Sequence, residues 1–163
     1  MIKKFLIAVL CIASSFSGNE GDEEVYKFAG KHFVASYLNC DEKAISDVEG
    51  LLEAMDKAVG ASRATILDKS SYVFPPNGLT VVYLLSESHA SLHTYPEFGA
   101  CFVDLFTCGD TCSAEEFDAA LRIYLKPKEV NARYFFRNEE THEIPLSFYK
   151  SPQEEAPASI SQN

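Results

Sequence analysis

Apolar residues recur at three- and four-residue intervals in two segments of the chain, which is the spacing of amphipathic helices. The first segment follows Asp41, a suitable N-cap, and ends at Gly60. Its apolar positions are Ile45, Val48, Leu51, Leu52, Met55 and Val59. The second segment starts with a capping box, Ser113 and Glu116, and ends before Pro127. Its apolar positions are Phe117, Ala120, Leu121 and Tyr124. The pattern predicts two helices, each with one buried side.

The other apolar residues form short runs or alternate with polar residues, as in β-strands. We expect strands at residues 26–38, 64–67, 71–74, 79–85, 89–95, 100–106 and 130–137. Within residues 89–95, the two-residue period of a strand separates a polar face from a more apolar one. The polar, titratable face consists of His89, Ser91, His93 and Tyr95.

This order of elements predicts an α+β fold, a two-layer sandwich in which an antiparallel sheet carries two helices on one face. The sheet face opposite the helices would have no cover within one chain. An exposed apolar sheet face favours association, so we expect two copies of the chain to pair.

Both ends of the chain differ in composition from the middle. Residues 1–24 begin with two lysines and an apolar run, and we interpret them as a signal-like or disordered N-terminal extension. The apolar run, residues 5–13, is too short to span a bilayer. Residues 150–163 are rich in serine, proline and glutamate without apolar periodicity, which predicts a disordered tail. The folded domain is therefore expected at residues 25–149.

Net charge and cysteine content bear on what the protein binds and where it is located. The net charge of −10 argues against nucleic-acid binding and against an anionic membrane surface. The five cysteines lack the spacing of a disulfide scaffold, and exposed thiols are prone to oxidation outside the cell. We therefore predict a cytoplasmic protein, with export as the alternative that residues 1–18 suggest.

Candidate chemistry is concentrated between Leu84 and Gly109. Ser88 lies between Glu87 and His89, where a neighbouring base could activate its hydroxyl as a nucleophile. Cys108 follows an apolar run and could donate a proton from the end of a strand. Each signal alone is more often structural, a solvated serine–histidine pair or a buried thiol. The motifs HExxH and CxxC are absent from the sequence, and we predict no metal site. The absence of GxSxG argues against the nucleophile elbow of an α/β-hydrolase.

Together, three motifs resemble the bacterial and archaeal form of the S-adenosylmethionine decarboxylase proenzyme. The motifs are Leu85-Ser86-Glu87-Ser88-His89, His93-Thr94-Tyr95-Pro96-Glu97 and Asp104-Leu105-Phe106-Thr107-Cys108-Gly109. The resemblance also includes Gly30-Lys31-His32, Ala35, Cys40, Phe74 and Gly78, and covers roughly residues 28–137.

The resemblance implies a cofactor made from the chain itself. Ser88 would attack the carbonyl of Glu87 to give an ester, and elimination would cleave the chain between these residues. The product is a pyruvoyl group that heads the α chain and forms a Schiff base with the substrate amine. In the family, the histidine matched by His93 accepts the proton during processing, and the cysteine matched by Cys108 donates a proton after decarboxylation.

The same resemblance implies a substrate site and an assembly. Thr80 stands where the family often has a serine that supports processing, and Tyr95 replaces a frequent tryptophan. Phe74 matches a residue that stacks on adenine, and Glu97 matches one that binds the ribose hydroxyls. The expected protein is a homodimer of processed αβ units that decarboxylates S-adenosylmethionine for spermidine synthesis. A decarboxylase of ornithine or arginine and an inactive regulatory paralogue stay open as alternatives.

Overall fold

The computed structural model describes residues 28–145, which form one antiparallel seven-stranded sheet and three α-helices. The elements in chain order are β1 Gly30–Leu38, α1 Glu42–Ser46, α2 Val48–Ala61, β2 Ile66–Phe74, β3 Gly78–Leu85, β4 Ser88–Tyr95, β5 Ala100–Thr107, α3 Ala114–Leu125, β6 Glu129–Arg137 and β7 Thr141–Ile144. A 3-10 turn at Pro96–Phe98 links β4 to β5. The order of strands across the sheet is β2-β3-β4-β5-β1-β6-β7, so β4, β5 and β1 lie side by side in its middle.

The core lies between one face of the sheet and the helices, which confirms the α+β sandwich. Strand residues on this inner face alternate with outward-pointing ones, because side chains in a strand point to opposite sides in turn. The largest fully buried side chains are Tyr37, Tyr83, Phe33, Phe117, Ile45, Leu51, Met55, Leu79, Leu92, Leu105, Leu121 and Leu125. They come from the strands and from all three helices, so a single apolar core joins the two layers.

The first predicted helix is two helices in the structure. Asp47 has extended backbone angles (φ −92°, ψ 93°), which ends α1, and its side chain accepts a hydrogen bond from Gly50 N at 3.1 Å to start α2. A capping aspartate side chain bonds backbone N–H groups and so competes with the hydrogen bonds of a continuous helix. At Asp47 the capping bond forms and the helix is interrupted. Residues 28–145 thus contain three helices where the apolar spacing predicted two.

Three strand boundaries also differ from the prediction. The strands expected at residues 64–67 and 71–74 are one continuous strand, β2, whose register shifts between Ile66 and Asp68. The first strand starts at Gly30, and the short β7 pairs with β6 at the edge of the sheet. Every residue of β2 is exposed, as expected for an edge strand that extends beyond the helices.

The outer face of the sheet, opposite the helices, carries large apolar side chains in the open. Tyr72 is 61% exposed, Leu84 55%, Phe102 51% and Val82 45%. The alternation predicted for β4 is confirmed, since Ala90, Leu92 and Thr94 are buried while the polar face belongs to the outer side. A face this apolar requires a cover in water.

The predicted N-terminal extension, residues 1–24, and the predicted tail, residues 150–163, lie outside the described residues. Within residues 28–145, no helix combines the length and the apolar character needed to cross a membrane.

Candidate active site

The hairpin between β3 and β4 presents Glu87 and Ser88 at one end of the sheet. Leu85 pairs with Ser88, so Ser86 and Glu87 form a two-residue turn. Thr65 holds this turn from the neighbouring segment. Its backbone N donates to Glu87 Oε2 at 2.9 Å, and its carbonyl accepts a hydrogen bond from Ser86 N at 2.9 Å. The Glu87–Ser88 peptide is therefore held on a rigid hairpin.

Ser88 has a backbone φ of 148°, a conformation that residues with a Cβ rarely adopt. Backbone angles of this kind cost on the order of 1–3 kcal/mol and persist only where the surroundings enforce them. The pairing of Ser88 with Thr107 on β5 and with Leu85 on β3 provides that constraint. Strain is thus located at the peptide bond that cleavage would break.

Cys108 provides two hydrogen-bond donors to the carbonyl oxygen of Glu87. The backbone N of Cys108 lies 2.9 Å from that oxygen, and its Sγ lies 3.1 Å from it. The thiol is exposed at the end of β5, where the chain leaves the sheet. Two donors on one carbonyl polarise it and would stabilise an oxyanion formed by attack on its carbon. We call Glu87, Ser88 and Cys108 the cleavage site.

Two features hold the loop after Cys108 in place: hydrogen bonds from a lysine on β1 and close packing around Gly109. Lys31 Nζ donates to the carbonyls of Asp110 and Cys112, at 3.2 and 3.3 Å. A Cβ at Gly109 would lie 2.9 Å from Cys112 Sγ and 3.0 Å from Glu87 Cγ, so only glycine fits there without displacement. Burial, followed by the charge of Glu87, raises the pKa of the Cys112 thiol, which favours its neutral form.

His93 lies near the opposite end of β4. Thr80 on β3 pairs with it, and the Thr80 Oγ1 hydroxyl contacts His93 Nδ1 directly. The His93 ring centroid is 4.6 Å from that of Tyr95 and 6.0 Å from that of Phe74. The threonine hydroxyl and the two aromatic rings hold the imidazole in one orientation.

An open pocket of about 320 Å³ adjoins His93, and we call it the binding pocket. It is lined by Phe74, Pro75, Pro76, Asn77, Gly78, His93, Thr94, Tyr95 and Glu97. Aromatic rings and one exposed carboxylate are a combination that suits a flat, partly polar ligand carrying hydroxyl groups. The predicted substrate residues Phe74 and Glu97 thus share one cavity with His93, whose imidazole Thr80 contacts.

The predicted site residues therefore fall into two groups within one chain. The cleavage site and the binding pocket lie at opposite ends of β4, and His93 is the fifth residue after Ser88. At about 3.3 Å of rise per residue, their Cα atoms are about 16 Å apart. His93 of the same chain is too distant to take a proton from Ser88.

Sequence reasoning placed His89 beside Ser88 on a polar strand face but did not predict the row that His89 forms with residues of β5 and β1 next to the cleavage site. His89 pairs with Phe106 on β5, and Phe106 pairs with His32 on β1. His32 Nε2 lies 3.4 Å from Asp104 Oδ1, and the rings of His32 and His89 are 6.4 Å apart. The two-residue period of each strand predicts that these side chains lie on the outer face of the sheet. Only the pairing register between the strands shows that they are neighbours.

The chain resembles known proteins over the same region. The family profile of S-adenosylmethionine decarboxylase matches residues 31–138. An S-adenosylmethionine decarboxylase proenzyme of Methanococcus aeolicus is 37% identical over 101 residues, which are 62% of this chain and 86% of the relative. One from Thermosipho africanus is 36% identical over 105 residues, covering 64% of this chain and 81% of the relative.

A solved structure supports the same relationship. The crystal structure of the adenosylmethionine decarboxylase from Aquifex aeolicus is similar with a TM-score of 0.61 and 35% sequence identity. The similarity covers 66% of this chain and 89% of that one. Since the profile match also spans well over half of the sequence, the chain belongs to the S-adenosylmethionine decarboxylase family.

Proposed function

We propose that this protein is a self-processing, pyruvoyl-dependent decarboxylase that converts S-adenosylmethionine to its decarboxylated form, the aminopropyl donor of spermidine synthesis. One observation carries the proposal. The Glu87 carbonyl accepts two hydrogen bonds from Cys108, directly next to a strained Ser88. A polarised carbonyl beside a hydroxyl on a strained backbone suits attack of that hydroxyl on the preceding peptide bond.

Self-cleavage proceeds in two stages. Ser88 Oγ adds to the Glu87 carbonyl carbon, the C–N bond breaks, and an ester replaces the amide. A base then removes the Ser88 Cα proton, and the Glu87 carboxylate leaves as the new end of the β chain. Water hydrolyses the resulting enamine through its imine, so ammonia is released and the α chain begins with a pyruvoyl group. Each chain consumes one water.

The pyruvoyl group supplies an electrophilic carbonyl that binds the substrate amine and takes up the electrons left by carbon dioxide. Cys108 would protonate the substrate carbon afterwards, and the position of its Sγ, 3.1 Å from the carbonyl oxygen of Glu87, supports this role.

Two copies of the chain complete the site in this proposal. The outer face carries exposed Tyr72, Val82, Leu84 and Phe102, and a second copy of the same face would cover them. A two-fold axis between the sheets, at right angles to β4, would bring the cleavage site of one chain to the binding pocket of its partner. His93 and Thr80 would then reach Ser88 across the interface, although they cannot within one chain.

The binding pocket supports a nucleoside substrate over a simple basic amino acid. Phe74 and Tyr95 offer aromatic surfaces for adenine, and the Glu97 carboxylate can accept hydrogen bonds from ribose hydroxyls. Ornithine and arginine carry neither group. The net charge of −10 attracts a sulfonium cation and the cationic side chains of ornithine and arginine alike, so it does not distinguish these substrates.

Mass spectrometry and a parallel activity assay test the proposal. Purified protein should separate into two chains, with a pyruvoyl mass at the start of the fragment that begins at position 88. Carbon dioxide should be released from S-adenosylmethionine and not from ornithine or arginine. Ser88→Ala should remain one chain. An intact wild-type chain after long incubation would reject self-processing, and cleavage without turnover on any substrate would favour a regulatory role.

Mixed dimers test the shared site. Neither Ser88→Ala nor His93→Ala should mature alone. When the two are co-expressed, the His93→Ala chain should be cleaved, because its Ser88 meets the intact His93 of the partner subunit. Absence of cleavage in proven mixed dimers would show that His93 does not act across the interface.

A further inference from the structure

His89 is the histidine whose ring nitrogen lies against the Ser88 hydroxyl. Its Nδ1 is 3.5 Å from Ser88 Oγ, at the limit of a hydrogen bond. His93 of the same chain is about 16 Å from Ser88 along β4, and its own Nδ1 contacts Thr80. The first stage of self-cleavage needs an acceptor for the hydroxyl proton, and His89 occupies that position.

The surroundings of His89 come from four strands. Leu84 on β3 and Phe106 on β5 pair with it directly, and both are apolar. The ring centroid of His89 is 5.7 Å from that of Phe106. Asp104 on β5, His32 on β1 and Arg137 on β6 are the charged or titratable groups that face it from the neighbouring strands. Arg137 also lies over the Phe106 ring, with Cζ 4.5 Å from its centroid.

These neighbours favour a neutral imidazole. Burial lowers the pKa of His89 most, the charges of His32 and Arg137 lower it further, and Asp104 partly opposes them. A histidine with a lowered pKa is unprotonated at neutral pH and can accept a proton. In the tautomer with hydrogen on Nε2, the Nδ1 lone pair is available to the Ser88 hydroxyl.

We propose that His89 is the general base of the acyl shift, the first stage of self-cleavage. Its Nδ1 takes the proton from Ser88 Oγ while that oxygen forms a bond to the Glu87 carbonyl carbon. The carbonyl oxygen becomes an anion held by the Cys108 N–H and S–H donors. When the C–N bond breaks, the imidazolium returns its proton to the departing Ser88 nitrogen, which leaves an ester, a free amine and neutral His89.

This assignment rests on the proposed function and divides the two stages between chains. The acyl shift is performed within one chain, because His89 and Ser88 are adjacent in sequence and in contact. The elimination is performed by His93 of the partner subunit, which takes the Cα proton once the ester exists. The two histidines therefore act one after the other on the same serine.

Chemical trapping separates the two stages. His89→Ala should remain an uncleaved amide, whereas His93→Ala should accumulate ester that hydroxylamine splits between Glu87 and Ser88. We expect the processing rate of His89→Ala to fall by roughly 10²- to 10⁴-fold, the usual effect of removing a general base. The matched control is His142→Ala, an exposed histidine on β7 whose loss should leave processing unchanged.

Two further readouts distinguish a base from a structural residue. The rate of wild-type processing should fall as pH falls through the lowered pKa of His89. This decrease should be absent from the pH profile of His89→Ala. Imidazole added to His89→Ala should restore part of the rate, because His89 is exposed enough for a small base to enter. Failure of imidazole rescue together with an unchanged pH profile would assign His89 a structural role and overturn the proposal.

Other outcomes would separate failure of the role proposed for His89 from failure of the proposed function. Wild-type processing of His89→Ala, or ester accumulation in it, would remove His89 from the acyl shift while leaving self-cleavage intact. A wild-type chain that never cleaves would instead reject the proposed function itself. In mixed dimers, Ser88→Ala should fail to rescue His89→Ala although it rescues His93→Ala, and rescue of both would contradict action within one chain.

Discussion

Cys108 donates two hydrogen bonds to the carbonyl oxygen of Glu87, one from its backbone N at 2.9 Å and one from its Sγ at 3.1 Å. In the proposed mechanism the same residue serves both the precursor and the mature enzyme. It would stabilise the oxyanion of the acyl shift in the precursor, and its thiol would protonate the substrate carbon after cleavage.

Cys108→Ala should slow self-cleavage without abolishing it, because the backbone N–H remains on the Glu87 carbonyl. Turnover of the matured variant should fall by roughly 10²- to 10⁴-fold for loss of an acid catalyst. Electrophoresis measures the first effect and carbon dioxide release the second. A growing fraction of α chains that begin with alanine should accompany the loss, from protonation at the wrong carbon. Wild-type turnover would remove Cys108 from the proposed mechanism of decarboxylation.

Gly109→Ala should slow processing because the added methyl would meet Cys112 Sγ at 2.9 Å and Glu87 Cγ at 3.0 Å. Relief of this clash would move Glu87, whose carboxylate Thr65 holds, and so misplace the carbonyl that Ser88 attacks. The matched control is Gly60→Ala in α2, where a Cβ has nothing within 4 Å. That change should stabilise the helix by up to about 1 kcal/mol and leave processing unchanged. Equal processing rates in the two variants would show that the loop adapts.

Asp118→Ala should destabilise the fold strongly. Asp118 is fully buried in α3, its Oδ2 lies 2.7 Å from Arg122 Nε, and its Oδ1 accepts a hydrogen bond from Tyr37. Removing one partner of a buried ion pair costs about 3–5 kcal/mol, because the other charge is left uncompensated. Tyr37→Phe keeps the pair and should cost less, about 1–3 kcal/mol. Urea unfolding in a Ser88→Ala background, where the chain stays whole, measures both.

The Asp56 carboxylate should make a pH-dependent contribution to stability. Burial opposes its ionisation, but hydrogen bonds from Lys69 and Tyr83 outweigh burial and hold the pKa of Asp56 below its ordinary value. A lowered folded-state pKa gives stability that is present above the unfolded value of about 3.9 and lost as pH falls through the folded one. Asp56→Asn should therefore lower the unfolding free energy at pH 7 and lose this effect in acid.

Glu53→Gln is the control for Asp56. Glu53 and Lys57 form an i,i+4 pair with side chains 73% and 76% exposed, and such pairs contribute little. The unfolding free energy of Glu53→Gln should equal that of the wild type at every pH. If Asp56→Asn and the wild type differ in unfolding free energy by the same amount in acid, the effect comes from packing and not from the charge of Asp56.

Removal of residues 1–24 should leave processing and turnover near the wild-type level. The family match begins at residue 31, and the first strand begins at Gly30. The truncated protein is compared with the full chain by electrophoresis and by carbon dioxide release. Loss of both activities would show that the segment belongs to the folded domain, and recovery of mature enzyme outside the cytoplasm would correct the predicted location.

The sequence by itself determined what depends on neighbours along the chain. Apolar spacing of three and four identified the helical segments, and the two-residue period of β4 predicted which face carries His89 and His93. The Glu87–Ser88 bond was predicted as the cleavage point through the resemblance of a short motif to a known family, and it stays a prediction. These features are readable since secondary-structure periodicity is a property of short segments.

Tertiary structure decided every relationship between distant segments. The contact of Cys108 with the Glu87 carbonyl depends on the antiparallel pairing of β4 with β5, and the row of His89, Phe106 and His32 depends on two strand registers at once. The separation of Ser88 from His93 appears only when β4 is seen to be straight and continuous. A strand's own sequence specifies its faces, but packing against other segments selects its partners and register, and these place the chemistry.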